Sequence, residues 1–236
     1  MSQSIVYRKI PRPDPALIDM LRGIPVADLH DEMDVIDRRQ RLMGTAMRPL
    51  LAGKSFVGPA VTAYCTPGDN LMMHAALYYA EKGDVLVISN GGVPYGALWG
   101  GNATVQAVHR GVAALVIDGP ARDIAQVRDG DFGVWATSHT VSKPGKEAPG
   151  SVNTPITCAG VRVNPGDIVV GDEDSVIVID PKDVERLVKA ARARIERDRV
   201  MQEKIATGST LFEHLHGDEQ LRKVGAVVSD GPWNKA

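Results

Sequence analysis

Val112-Ala113-Ala114-Leu115-Val116-Ile117-Asp118-Gly119-Pro120-Ala121-Arg122-Asp123 is the stretch whose reading decides the fold. An apolar run, opened by Gly111, ends abruptly in Asp-Gly-Pro and is followed by an arginine and an acid. Runs of this length with few polar members are strands buried on both faces. The pattern recurs upstream in Val57 to Tyr64 and in Val85 to Ile88 behind Gly83-Asp84, and downstream in Ile168 to Val170 behind Gly166-Asp167 and in Val176 to Ile179. Helix-like stretches, Leu71 to Lys82 and Ala103 to Arg110, separate the first three strands. Strand, helix, strand, helix, strand predicts an α/β layer with parallel pairs.

Outward from that layer the texture changes. Asp14-Pro15 reads as an N-cap with proline at the first helical position, opening a short helix over Ala16 to Leu21 that Gly23 stops. Ala27 to Ile36 is a second helix candidate. Past Asp123, Phe132 to Trp135 is an expected strand, Lys143 to Gly150 an exposed loop rich in Pro and Gly, and Cys158 to Gly166 a tight β segment turning at Asn164-Pro165-Gly166. A long helix starts near Pro181, with Val184, Leu187, Val188, Ala191 and Ile195 on one stripe. The stripe must be covered by its own domain or by a neighbouring subunit; the neighbour is the favoured expectation. The division that results is an N-terminal helical segment over 1–40, an α/β core over 41–180 and a C-terminal helical extension over 181–236.

Composition excludes several classes. Over 236 residues, 27 Lys and Arg against 29 Asp and Glu leave a net charge of −2, so no global positive field invites nucleic acid or an anionic membrane. Aromatic residues are 5% of the chain, too few for a base-stacking surface. The best apolar run, Asp84 to Ser89, is strand-sized and cannot span a bilayer. Pro11, Pro13 and Pro15 interrupt the start, so no secretory signal is expected. Cys65 and Cys158 lack metal-ligand spacing and read as buried thiols in a reducing, cytoplasmic setting.

Chemistry points to two segments. In α/β sheets ligands sit beyond the carboxyl ends of strands, where Arg122 and Asp123 fall. Arginine offers a planar fork for a carboxylate, and the adjacent Asp offers hard oxygen for Mg²⁺ or Mn²⁺. Helix capping by Asp118 or Asp123, with Arg122 solvated, explains the local sequence equally well. Tyr95 to Thr104, with Gly100 and Gly101, opens a helix whose N–H groups could meet an anion, although close helix–strand packing also explains such glycines. In Pro67-Gly68-Asp69-Asn70, Asp69 or Asn70 is expected to cap the next helix. His74 is expected to be a half-buried helix histidine rather than a catalyst. His30, Asp31, Glu32 and Asp34 lack a His-Glu-X-X-His zinc pattern. Nothing local singles out His139, and His214 and His216 are expected at the surface. A nucleophile elbow is missing, and Lys54, Lys143 and Lys146 lie in turns or polar loops rather than in a desolvated position suited to a Schiff base. A metal-stabilised enolate is the economical route left for carbon–carbon cleavage.

Gly100-Gly101-Asn102-Ala103 through Gly111, then Val116-Ile117-Asp118-Gly119 and Arg122-Asp123, resemble the RraA-like family. Met47-Arg48-Pro49, Pro67-Gly68-Asp69-Asn70, Gly150-Ser151-Val152-Asn153 with Pro155, and Asn164-Pro165-Gly166-Asp167 extend the likeness from about Ala27 to the C-terminal helix. The family includes class II pyruvate aldolases acting on 4-hydroxy-4-methyl-2-oxoglutarate and 4-carboxy-4-hydroxy-2-oxoadipate. The resemblance implies a swivelling β/β/α fold with N-terminal helices and a long C-terminal helix, assembled as a homotrimer or hexamer. It implies that Arg122 binds the pyruvyl part of a small 2-oxo acid substrate, that Asp123 holds a divalent Mg²⁺ or Mn²⁺, and that the amides of Gly100, Gly101, Asn102 and Ala103 bind a substrate carboxylate. The implied activity is metal-dependent cleavage of a 4-hydroxy-2-oxo acid to pyruvate, with oxaloacetate decarboxylation as a side reaction. One departure stands out: related aldolases often carry Asp or Glu where this chain has Gly101. Other RraA-type members are protein-binding regulators of ribonucleases, which is the alternative; such members are typically shorter than this chain. Glu196 and Glu203 in the extension are acids that a neighbouring site could receive. Methylation of demethylmenaquinone, also attached to the family, is not expected without a Gly-X-Gly-X-X-Gly segment.

Overall fold

A computed structural model describes residues 4–233. Two compact units divide the chain, the first running through Ala191 and the second from Arg192. In the first, strand β1 (Ile5–Val6) precedes helices α1 (Pro15–Leu21), α2 (Val26–Asp31) and α3 (Val35–Gln40) and the short β2 (Arg48–Pro49). Then β3 (Phe56–Cys65), α4 (Leu71–Tyr79), β4 (Val85–Ser89), α5 (Gly101–Arg110), β5 (Ala114–Ala121), α6 (Ile124–Asp129) and β6 (Val134–His139) alternate. Strands β7 (Gly150–Val152), β8 (Ile156–Cys158), β9 (Val161–Val163), β10 (Ile168–Gly171) and β11 (Val176–Ile179) follow, before α7 (Val184–Ala206).

The central layer is parallel, as expected: β3, β4, β5 and β6 pair in that order, with Ile88 beside Ile117 and Ser89 beside Asp118. Alternation along each strand feeds two cores. Leu86, Ile88, Leu115 and Ile117 face Met73 and Leu77 of α4 and Ala107 of α5. Val85, Val87, Ala114 and Val116 face Trp135 and the β8–β9 hairpin. Antiparallel β10 and β11 extend from the first half of β3 and carry Ile168, Val170, Ile177 and Ile179 against α1, α2 and the start of α7.

Three local expectations shift. The helix predicted over Ala27 to Ile36 is two helices, broken where Arg38 donates back to the carbonyls of Met33, at 2.9 Å, and Asp31. The strand predicted over Phe132 to Trp135 begins at Val134, because Phe132 turns aside to stack on Trp99. The neighbour expected to cover the long helix is not needed for its start: Val184, Leu187, Val188 and Ala191 are buried in the chain's own third core. Full burial of a leucine or valine contributes about 1.5–3 kcal/mol, enough to anchor those first turns.

In the second unit α7 continues, with Arg199 pairing Glu196 at 2.8 Å and also Glu203, so both acids are engaged within their own helix. Helices α8 (Leu211–His214) and α9 (Gly217–Lys223) follow, α8 opened by a capping box between Thr210 and Glu213. Among the described residues no helix is long and apolar enough to cross a membrane.

Candidate active site

The parallel layer places Arg122 and Asp123 just past the end of β5. The segment before α5 is stitched to that end: Leu98 N–H donates to Pro120 O at 2.8 Å and Arg122 N–H to Trp99 O at 2.9 Å. Two stretches separate in sequence thus become one ledge. Trp99 is locked beneath it by an indole N–H bond to Thr104 Oγ1 at 2.8 Å, and Thr104 lies on the first turn of α5.

Asp123 occupies the residue before α6 with φ 56° and ψ 40°, a left-handed conformation that Asp tolerates better than most residues. Its side chain makes no capping bond to α6. Instead Oδ2 accepts the backbone N–H of Gly101 at 3.1 Å and lies 3.5 Å from Arg122 Nε. Asp118 does not cap a helix either: it is a buried residue inside β5 whose Oδ2 accepts from Ser89 Oγ at 3.3 Å. Helix capping, which the local sequence left open, is therefore not what these acids do.

Gly100 and Gly101 owe their identity to this ledge. A Cβ on Gly100 would stand 2.5 Å from Asp123 Oδ2 and 3.3 Å from Arg122 Cγ. On Gly101 it would stand 2.0 Å from Gln126 Oε1, so the space beside Gly101 is taken by the glutamine of α6. Gly101 N–H is already bound to Asp123. The N–H groups of Asn102 and Ala103, in the first turn of α5, have no acceptor within the helix and sit at its positive end.

A cavity of about 200 Å³ opens in front of the ledge, lined by Gly100, Asn102, Ala103, Arg122 and Asp123. Its far wall was not foreseen in the sequence. Asn70, Met73 and His74 of the α4 region and Lys143, Pro144 and Lys146 of the polar loop complete it. Asp69 holds that wall together. Its Oδ1 accepts Leu71 N–H at 2.8 Å from one residue ahead of the N-cap, while Oδ2 accepts Glu147 N–H at 2.7 Å and Ala148 N–H at 3.0 Å; Asn70, the N-cap itself, makes no side-chain capping bond. Burial opposes the charged carboxylate, but these donors and Lys146 outweigh it and hold Asp69 below the usual carboxylate range. Lys146 Nζ donates to Asn70 Oδ1 at 3.4 Å. His74 is half-buried on its helix, as expected, and burial together with Lys146 pushes its pKa down against the pull of Asp69. His139 is not among the lining residues.

The lining carries three cationic side chains, Arg122, Lys143 and Lys146, against one carboxylate, so an anionic ligand suits it. Among the described residues no three His, Cys, Asp or Glu cluster as metal ligands, so no closed zinc cage is built. The one partly exposed carboxylate, Asp123, fits a different donor set: a hard, mostly hydrated Mg²⁺ or Mn²⁺ held by one protein oxygen plus substrate oxygens.

The family model RraA-like, Aldolase/RraA, matches residues 26–178. A Halalkalibacterium halodurans protein provisionally named 4-hydroxy-4-methyl-2-oxoglutarate aldolase is 32% identical over 189 residues, 80% of this chain and 88% of that protein. A Thermus thermophilus protein named 4-hydroxy-4-methyl-2-oxoglutarate aldolase is 34% identical over 111 residues, 47% of this chain and 68% of that one. Among solved structures, Streptomyces coelicolor RraAS2, described as an unusual member of the RNase ES inhibitor RraA protein family, superposes with TM-score 0.74 at 25% identity, covering 82% of this chain and 99% of that one.

Proposed function

The chain belongs to the Aldolase/RraA family, and from that premise we propose that it is a divalent-metal-dependent lyase cleaving a 4-hydroxy-2-oxo acid to pyruvate and a second carbonyl compound. The substrate is of the 4-hydroxy-4-methyl-2-oxoglutarate or 4-carboxy-4-hydroxy-2-oxoadipate type. The observation that carries the reading is the meeting of Arg122, Asp123 and the open first turn of α5 in one cation-rich cavity.

Asp123 would hold the metal, Mg²⁺ or Mn²⁺, which when bound supplies Lewis-acid polarisation of the substrate's keto group. Arg122 presents its guanidinium fork to the pyruvyl oxygens and stabilises the negative charge that develops there as the carbon–carbon bond breaks. The N–H groups of Asn102 and Ala103, with the dipole of the ten-residue α5 behind them, orient the substrate carboxylate. Gly100 keeps this end free of a side chain, so the backbone can approach. Stabilising the same charge would also promote loss of CO₂ from oxaloacetate, a side reaction included in the proposal. So is assembly as a homotrimer or hexamer, which sedimentation reads directly.

The Streptomyces relative's description favours a second reading, a non-catalytic regulator that binds a ribonuclease. One assay separates the two. Pyruvate release from a panel of 4-hydroxy-2-oxo acids and from oxaloacetate is followed with Mg²⁺ and with EDTA. Release that EDTA abolishes and Mg²⁺ restores supports the lyase; no turnover on any substrate shifts the weight to the binding protein.

A further inference from the structure

We propose that the protein carries a second ligand site, a cavity on the opposite face of the sheet that takes a small organic cation, an alkyl ammonium or guanidinium, on the carboxylate of Asp118. The site stands independently of the lyase reading. Ser151, Tyr64, Ser89 and Asp118 are register partners across β7, β3, β4 and β5. Partners at one level project to one face, so these four polar side chains form a row at the carboxyl ends of the parallel strands. That is the edge at which α/β sheets receive ligands. The row follows Val87 and Val116 on the face turned to the β8–β9 hairpin, away from α4 and α5. A cavity of about 540 Å³, within the range of small-molecule sites, lies there, lined by Tyr64, Ser89, Asp118, Ser151, Thr157 and Gly160. It shares no lining residue with the cavity of Arg122 and Asp123.

Asp118 decides what the cavity takes. It is only 9% exposed. Its Oδ2 accepts from Ser89 Oγ at 3.3 Å, whereas Oδ1 accepts from no described residue and is open to the cavity instead of sealed in the core. Ser89 Oγ itself accepts Gly91 N–H at 3.0 Å, which leaves its hydroxyl hydrogen for the carboxylate. No Lys, Arg or His is among the lining residues. A carboxylate so far withdrawn from water is ordinarily paired with a cation. Here the protein provides a hydroxyl and the ligand provides the charge. Tyr64, 40% exposed, adds an aromatic ring of the kind that attracts cations. The rim is open at Gly91 and Gly160, where a Cβ would meet nothing within 4 Å. An acidic substrate is turned away by the same carboxylate, so the two cavities select ligands of opposite charge.

Amide NMR of the full chain tests this with butylammonium, butylguanidinium and neutral butanol as probes. Both cations should shift the amides of Gly91, Thr157 and Gly160 saturably in the millimolar range. Butanol at the same concentrations, and Mg²⁺ alone, should leave them in place. D118N keeps the shape and removes the charge, so affinity should fall at least about tenfold, the loss of one charge-assisted hydrogen bond. T157K places an ammonium at the exposed rim without altering the buried row, and it should weaken both cations to the same degree by filling the site from within. Absence of saturable shifts with either cation, equal shifts with butanol or Mg²⁺, or undiminished binding in T157K or in a folded D118N protein overturns the proposal.

Discussion

Oδ2 of Asp123 accepts the backbone N–H of Gly101 at 3.1 Å, so the residue preceding α6 fastens the first residue of α5 instead of capping its own helix. That bond joins the two segments in which the sequence concentrates its polar chemistry. It also fixes where the carboxylate stands relative to the Arg122 guanidinium, 3.5 Å from Nε.

The neighbouring glycines should respond differently to one methyl group. In Gly100→Ala the new Cβ would meet Asp123 Oδ2 at 2.5 Å, and relief requires that carboxylate to leave its place. Gly100 has extended backbone, φ −165°, open to any residue, so the fold tolerates alanine and the damage is local. Turnover should fall at least about tenfold with a melting temperature near the parent's, reflecting about 1.4 kcal/mol of lost positioning. In Gly101→Ala the nearest obstacle is the exposed amide end of Gln126, which can swing aside, while its Cβ at 3.2 Å must give by a few tenths of an ångström. Turnover should then survive, and a helix-favouring residue should add up to about 1 kcal/mol of stability. Paired kinetics and thermal melts of the two variants check this.

Asp69 is expected to govern the lysine loop. Its native pKa lies below the unfolded one, so the folded form releases its proton more readily. The stabilisation is therefore complete above the ordinary value near 3.9 and is lost as pH falls through the lowered native value. Hydrogen exchange at Glu147 and Ala148 should accelerate in that acidic window. Asp69→Ala removes the acceptor of three N–H donors and should cost about 1–3 kcal/mol, with KM raised more than kcat changes.

The cysteines should be silent. Burial pushes Cys65 up to about 12, and it pushes Cys158 higher still, with the nearby Asp118 carboxylate adding to it. Because the thiolate is the reactive form, a disulfide reagent at pH 8 should label neither thiol in the native protein and both after unfolding. Fast native labelling would mean one of them is not in its core.

The parallel strands were legible in the sequence because burial on both faces leaves a continuous apolar run, as in Val85 to Ile88. The strand-end pair Arg122-Asp123 was legible for the same reason, since such a run marks where its strand stops. Half of the cavity was not. His74 and Asn70 follow the turn after β3, while Lys143 and Lys146 lie about seventy residues on, and the two meet through the Asp69 clamp and the backbone bonds that join Gly145 to Gly68 and Asn70. A Pro- and Gly-rich loop has no periodicity that says which carboxylate will hold it. The break between α2 and α3 was hidden likewise, because the carbonyl acceptors of Arg38 leave no local pattern.

Pyruvate formation by Arg122→Ala, measured beside the parent protein with saturating Mg²⁺, tests the central claim most directly. Arg122 is partly exposed and its side chain anchors no core, so the variant should fold and melt as the parent does. Losing one preorganised donor to a developing negative charge lowers turnover about 10²–10³-fold, and that loss is the predicted result. A folded Arg122→Ala protein that releases pyruvate at close to the parent's rate would contradict the account.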